Sequence, residues 1–126
     1  MTSPDSTPTP STTPATAPGA PTVRRADPRH RYEVLVDEKT AGFTAYRDRE
    51  QQRVFFHTEI DDAFAGQGLA SILVREALTD VRAAGLRLVP ICPYVAKFLQ
   101  KHREFDDITD PVTDEIRTWL DATLAR

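Results

Sequence analysis

The chain has 126 residues, 28% of them charged, with 16 Lys and Arg against 19 Asp and Glu for a net charge of −3. That balance excludes a strongly basic platform for nucleic acid, and no apolar run approaches the roughly 20 residues that span a bilayer. One cysteine, Cys92, excludes an internal disulfide and a multi-cysteine zinc site, and the absence of a basic, apolar leader makes a cytoplasmic, metal-free protein the expectation.

Seven of the ten prolines and ten Ser or Thr residues lie within residues 1–28, where the only large aliphatics are Met1 and Val23. Such a segment cannot bury enough apolar surface to offset chain entropy, so a disordered tail is expected over 1–28. The pattern then changes. Tyr32, Val34 and Val36 alternate within Arg31–Val36, as in a half-buried strand. Polar turn material over 37–42 leads to a second alternating run, Gly42–Arg47, and a polar turn over 48–52 leads to a third, Val54–Ile60. Three short strands with tight connections predict an antiparallel meander.

After the glycine-rich 66–68 the period lengthens. Leu69, Ile72, Leu73, Ala77, Leu78 and Val81 fall at helical spacing up to a stop at Gly85. Residues 86–92 (LRLVPIC) read as a strand, in which Pro90 requires an edge, a bulge or a neighbour that has splayed away. Pro93 suits the first turn of a helix whose inner face is Val95, Phe98, Leu99 and His102. Asp110-Pro111 breaks the chain, and Thr113 caps a last amphipathic helix carrying Ile116, Trp119, Leu120 and Leu124. The predicted order is β-β-β-α-β-α-α, an α+β (α/β) fold with three antiparallel strands followed by one right-handed β-α-β unit. The predicted units are a domain over 29–110 and a helix over 111–126 packed on it.

Gly66-Gln67-Gly68-Leu69-Ala70-Ser71 sits between a strand and a helix, where glycines admit close approach and the helix start offers unpaired N–H groups to phosphate oxygens. A dinucleotide fingerprint wants glycine where Ser71 stands and an acid after the next strand. An ATP loop wants a lysine after Gly68. Neither fits. The run Phe64–Ala70 resembles the acyl-CoA pyrophosphate loop of the GNAT N-acetyltransferase superfamily, Arg/Gln-x-x-Gly-x-Gly/Ala. Gly68 and Ala70 match its last two fixed positions, and Ala65 replaces its Arg or Gln. With the hairpin around Ala41–Tyr46, the stretch His57–Ile60 and the strand ending Pro90-Ile91-Cys92-Pro93-Tyr94, residues 29 to 110 resemble the minimal, single-domain YjdJ-type branch.

The resemblance implies acetyl-CoA as cofactor, lying where the strands 54–60 and 86–92 splay apart. Backbone amides of Gly66, Gln67, Gly68, Leu69, Ala70 and Ser71 would hold its pyrophosphate, and an N–H in the stretch Thr58 to Ile60 would meet the acetyl carbonyl. The acceptor would be a small-molecule amine or a protein amine. Such an amine titrates near ~10.4 and must lose a proton before it attacks. Glu59 and His57, two apart on a strand and so facing one way, are the candidate bases. Gln100 stands where the superfamily often places a tyrosine acid, which leaves Tyr94 as a candidate acid. Cys92, at the strand end beside a helix start, is a candidate acyl carrier. A non-catalytic acyl-CoA-binding module is the competing reading, motivated by Ala65 and Gln100. The lack of the larger superfamily's first helices leaves apolar surface for a homodimer or for the last helix to cover.

Overall fold

The structure is a computed structural model describing residues 20–125; most of the Pro/Thr/Ser-rich tail therefore lies outside the described residues. Five strands form one sheet in the order β1-β2-β3-β4-β5: β1 Thr22–Ala26, β2 Arg31–Val36, β3 Lys39–Arg49, β4 Gln52–Ile60 and β5 Arg87–Pro90. The first four pair antiparallel and β5 lies parallel to β4. The helices are α1 Leu69–Ala83, α2 Pro93–Lys101 and α3 Asp114–Leu124. The predicted β-β-β-α-β-α-α order is present, with one strand added in front.

That added strand corrects the expected extent of the disordered tail. Residues 22–26 pair with β2 from Thr22↔Leu35 to Ala26↔Arg31. Only Val23 packs on the core. The strand is fastened instead by charge: Arg24 to Glu33 at 2.8 Å and Arg25 to Asp80 of α1 at 2.9 Å. Just beyond it, Asp27 accepts from the Tyr46 hydroxyl at 2.9 Å. A polar edge strand held by distant partners has no hydropathy period to betray it.

The turns are shorter than expected. Asp37 and Glu38, both at positive φ (51° and 69°), close the β2–β3 hairpin alone, and Glu50 at φ 56° with Gln51 closes the next. Such two-residue connections match the twist of the flanking strands. They lengthen β3, so that Asp48 and Arg53 become directly opposed and bond at 2.8 Å.

Alternation sorts the side chains onto two faces. Tyr32, Val34, Tyr46, Phe55 and Leu88 meet Leu73, Val74, Ala77, Leu78 and Val81 of α1 and Val95, Phe98 and Leu99 of α2 in one core. Val54 and Val89 point the other way, onto Ile116 and Trp119 of α3. Thr113 caps α3 by accepting from the Ile116 N–H at 3.2 Å, and Gly85 stops α1 at φ 73°. α3 thus covers the apolar sheet face that was left for it or for a dimer. A 3-10 segment over Arg103–Ile108, not anticipated from the sequence, buries Phe105 under α2.

Candidate functional site

The sheet opens at one level of β4. On β3, Ala45 and Tyr46 are consecutive, yet their partners on β4 are His57 and Phe55. Phe56 is therefore an extra residue, a bulge, and bulges bend the strand that carries them. The β4–β5 ladder ends at that level, its last pair being Phe55↔Pro90. Pro90 has no N–H to continue the ladder, and after it the Cys92 N–H makes one more bond, to the Phe55 carbonyl at 2.9 Å. Beyond this point β4 runs on for five residues without β5. The strand expected over 86–92 stops at Pro90 with each of its four residues paired to β4, so the gap expected from a splay is made instead by β5 ending at a proline opposite a bulge.

The ladder fixes which backbone groups face the opening. The Asp61 N–H bonds to the Ala41 carbonyl at 2.7 Å, so Asp61 is a hydrogen-bonded position toward β3. Because bonded and non-bonded positions alternate in an antiparallel pair, Glu59 and His57 also bond toward β3, whereas the N–H and C=O of Thr58 and Ile60 turn to the side that β5 has vacated. The side chains divide as well. Thr58 and Ile60 lie on the α1/α2 face, while His57 and Glu59 lie on the opposite face, with Phe43 and Arg31.

Three groupings result. His57 Nε2 and Glu59 Oε1 are 3.2 Å apart, both side chains more than half exposed. His57 also tilts against the Phe43 ring (5.8 Å between centroids), and the Arg31 guanidinium covers Phe43 at 4.6 Å. Glu59, Asp61, Arg31, Phe43 and the backbone of Thr40–Gly42 line a cleft of ≈ 240 Å³. Gly42 lets β3 lie close here, since a Cβ would stand 2.5 Å from both the Glu59 carbonyl oxygen and Ile60 Cδ1.

The second grouping lies beyond the end of β5, on the other face. Thr44 Oγ1 and Thr58 Oγ1 are 2.9 Å apart, and Thr58 Oγ1 and Cys92 Sγ 3.3 Å apart. Thr44 and Cys92 are buried. Cys92 is thus joined to Thr58 and separated from His57 and Glu59 by the sheet. Thr44 was not singled out from the sequence. Its alternation with Tyr46 put the two on one face, but the partner hydroxyl lies on another strand.

The third is the glycine loop with α2. Gly66 and Gly68 have φ of 83° and 73°, and a Cβ on either would meet nothing within 4 Å. Gly68 occupies the cap position of α1, no side chain caps the helix, and its first turn carries no acid. The N–H groups of Leu69, Ala70 and Ser71 are the unpaired donors of this helix start, and the dipole there favours an anion. Gln67 is exposed and free to approach a ligand, whereas Leu69 is buried and offers only its backbone. These residues fit a pyrophosphate group. Ser71 also lines a cleft of ≈ 330 Å³ with Tyr94, Lys97, Phe98, Lys101 and His102. Tyr94 belongs to this cleft and not to the His57–Glu59 pair; burial pushes its hydroxyl above the ordinary tyrosine range. Lys97 and Lys101, one helical turn apart, were not singled out from the sequence.

A family model described as GCN5-related N-acetyl-transferase matches residues 31–108. Among solved structures, the solution structure of a GCN5-like protein from Staphylococcus aureus is 18% identical, covers 74% of this chain and 91% of its own, and has a TM-score of 0.56. This likeness shows the shared fold. The Escherichia coli ribosomal-protein-S18-alanine N-acetyltransferase (19% identical, TM-score 0.44) covers 46% of this chain and 38% of its own. Ard1 from Thermoplasma volcanium (20%, TM-score 0.42) covers 48% and 44%. The chain therefore spans less than half the length of these two proteins. No curated protein sequence matches it significantly. No helix among the described residues is long and apolar enough to cross a membrane. The match over residues 31–108, with the mixed sheet that opens between β4 and β5, makes this chain a member of the GCN5-related N-acetyltransferases.

Proposed function

We propose that the protein is an acetyl-CoA-dependent N-acetyltransferase that passes an acetyl group to a primary amine by direct attack in a ternary complex. The observation that carries this reading is the opening itself. It exposes the Thr58 and Ile60 backbone between two sheet faces, with the glycine loop on the α1/α2 side and the His57–Glu59 pair on the other. Acetyl-CoA would supply the activated acyl carbon and a thiolate leaving group. The backbone N–H groups of Gly66 to Ser71 bind the pyrophosphate, and an N–H of Thr58 or Ile60 donates to the acetyl oxygen as charge grows on it.

The acceptor enters the cleft of Glu59, Asp61 and Phe43, from the face opposite the cofactor. Glu59 takes the proton of the incoming ammonium, directly or through a water, and His57, 3.2 Å away, orients its carboxylate. Access from opposite faces lets both substrates be present at once, as direct attack requires. The departing thiolate is stable enough to leave without an obligatory acid. Tyr94, which lines the cleft beside α1, is the nearest tyrosine in sequence to the strand end. The test is acetyl transfer to a panel of amines by the wild type and Glu59→Gln. Binding of CoA with no transfer to any amine would leave only the binding-module reading standing.

A second reading rests on the 3.3 Å contact between Thr58 Oγ1 and Cys92 Sγ. Here the Cys92 sulfur attacks the acyl carbon, its proton passes to the departing CoA sulfur, and the acyl group moves later to the amine. Intact-mass measurement after incubation with acetyl-CoA decides between the two. An acetyl adduct lost in Cys92→Ala, together with lost turnover, selects the cysteine; no adduct and full turnover remove it.

A further inference from the structure

We propose that the cleft between α1 and α2 holds the 3′-phosphate of CoA through Lys97 and Lys101, so that these two lysines make the protein prefer CoA over 3′-dephospho-CoA. The inference rests on the acetyl-CoA reading above and adds to it a specificity determinant on a different helix.

Position comes first. Ser71 belongs to the first turn of α1, whose N–H groups fit a pyrophosphate, and the same Ser71 lines the cleft with α2. A ligand whose pyrophosphate sits on that turn has the cleft immediately beside it. The volume of ≈ 330 Å³ accommodates a ribose phosphate.

Charge comes second. No carboxylate lines the cleft. Lys97 and Lys101 are exposed, and neither has a hydrogen bond or ion pair among the described residues. Arg75, the neighbouring cation, is already engaged by Glu104 and by His102 Nδ1, each at 3.1 Å. His102 is further fixed by stacking on Phe98 at 4.1 Å. Like charges four apart on a helix repel and weaken it slightly. Here the repulsion has no acid to relieve it, whereas an anion in the cleft would.

The chemistry distinguishes the phosphates. Each pyrophosphate phosphorus of CoA carries about one negative charge and suits fixed backbone donors. The 3′ group is a monoester, close to doubly charged at neutral pH, and compact mobile ammonium groups suit it better. Two lysines a turn apart, with Cβ atoms roughly 5–6 Å from each other, flank one phosphate.

Calorimetric titration of CoA and 3′-dephospho-CoA into the full chain tests this. Wild type is expected to bind CoA about tenfold more tightly, the worth of one charge-assisted hydrogen bond, with the gap narrowing as salt rises. Lys97→Ala/Lys101→Ala should bind both ligands as wild type binds the dephospho form, and Lys97→Arg/Lys101→Arg should restore the preference. Circular dichroism checks that the variants fold. Equal wild-type affinities, or an unchanged preference in the alanine variant, overturn the inference and leave the acetyl-CoA reading intact. Binding of neither ligand removes both.

Discussion

The two halves of β4 differ more than any two separate strands. Arg53, Val54 and Phe55 are buried between β3 and β5; His57 and Glu59 are exposed, with only β3 beside them. In the closed half even the charge is enclosed. Arg53 makes two bonds to Asp48 (2.8 and 3.0 Å) and one to the Tyr32 hydroxyl (2.7 Å), and its guanidinium lies 4.3 Å from the Tyr46 ring centroid. Burial pushes the Tyr46 hydroxyl up to about 12, with the bond to Asp27 adding to it. In the open half the polar groups point at space a substrate can enter. One residue, Phe56, separates a half that holds the fold from a half that is free to react.

The sharpest break of that comparison is Phe55→Ala. The ring is fully buried, and removing a buried Phe costs about 3–5 kcal/mol, read as a lower midpoint in urea unfolding. Acetyl transfer per folded molecule should survive. A loss below about 1 kcal/mol would show that the closed half does not anchor the sheet.

Glu59→Gln should do the reverse. With a side chain 60% exposed, the change should move stability by no more than about 0.5 kcal/mol, while the transfer rate should fall ~10²-fold or more if the proposed base is lost. CoA affinity should not change. His57→Gln is expected to cost less, since in the proposed reaction His57 acts through Glu59. Its signature is a lower rate with an unchanged KM for acetyl-CoA. An unaltered rate in Glu59→Gln would move the base elsewhere.

Gly42→Ala lies between the two. Its Cβ would stand 2.5 Å from the Glu59 carbonyl oxygen and from Ile60 Cδ1, so β4 must shift. Overpacking of this kind costs about 1–3 kcal/mol. The rate at saturating acetyl-CoA should drop beyond what the lost folded fraction explains, because Glu59 moves with its backbone.

Much of this division was legible from local pattern. Tyr32, Val34 and Val36 alternate, α1 keeps a helical period, and Pro90 demands a place where a neighbour is missing. His57 and Glu59, two apart, had to share a face. What stayed hidden depends on partners far along the chain. Nothing about Phe56 marks it as the bulged residue; that follows from register against β3. Thr44 looks like any strand threonine until Thr58 and Cys92 come beside it. β1 lacks apolar alternation because Glu33 and Asp80 supply its attachments. Lys97 and Lys101 were not singled out from the sequence, because the wall that makes a cleft of their surroundings is Ser71 on another helix.

The smallest effect at neutral pH concerns β1, and it appears only in acid. Burial of the Glu33 carboxyl works against ionisation, but hydrogen bonds from Arg24 and Arg31 outweigh it and hold the group below the usual carboxylate range. Asp80 behaves alike: burial opposes its charge, and the bonds from Tyr32 and Arg25 prevail. A carboxyl depressed on folding adds stability that is complete above its unfolded value, near ~4, and that vanishes as pH falls through the folded value. Both groups fasten β1, so the protection of amides in Thr22–Ala26, taken relative to their intrinsic exchange rates, should fall below about pH 4, before that of α1. Glu33→Gln should show the faster exchange already at neutral pH and a shallower acid dependence, because its share of the titration is gone. Simultaneous loss of protection in β1 and α1 would mean that the polar edge strand is as firmly integrated as the apolar core it flanks.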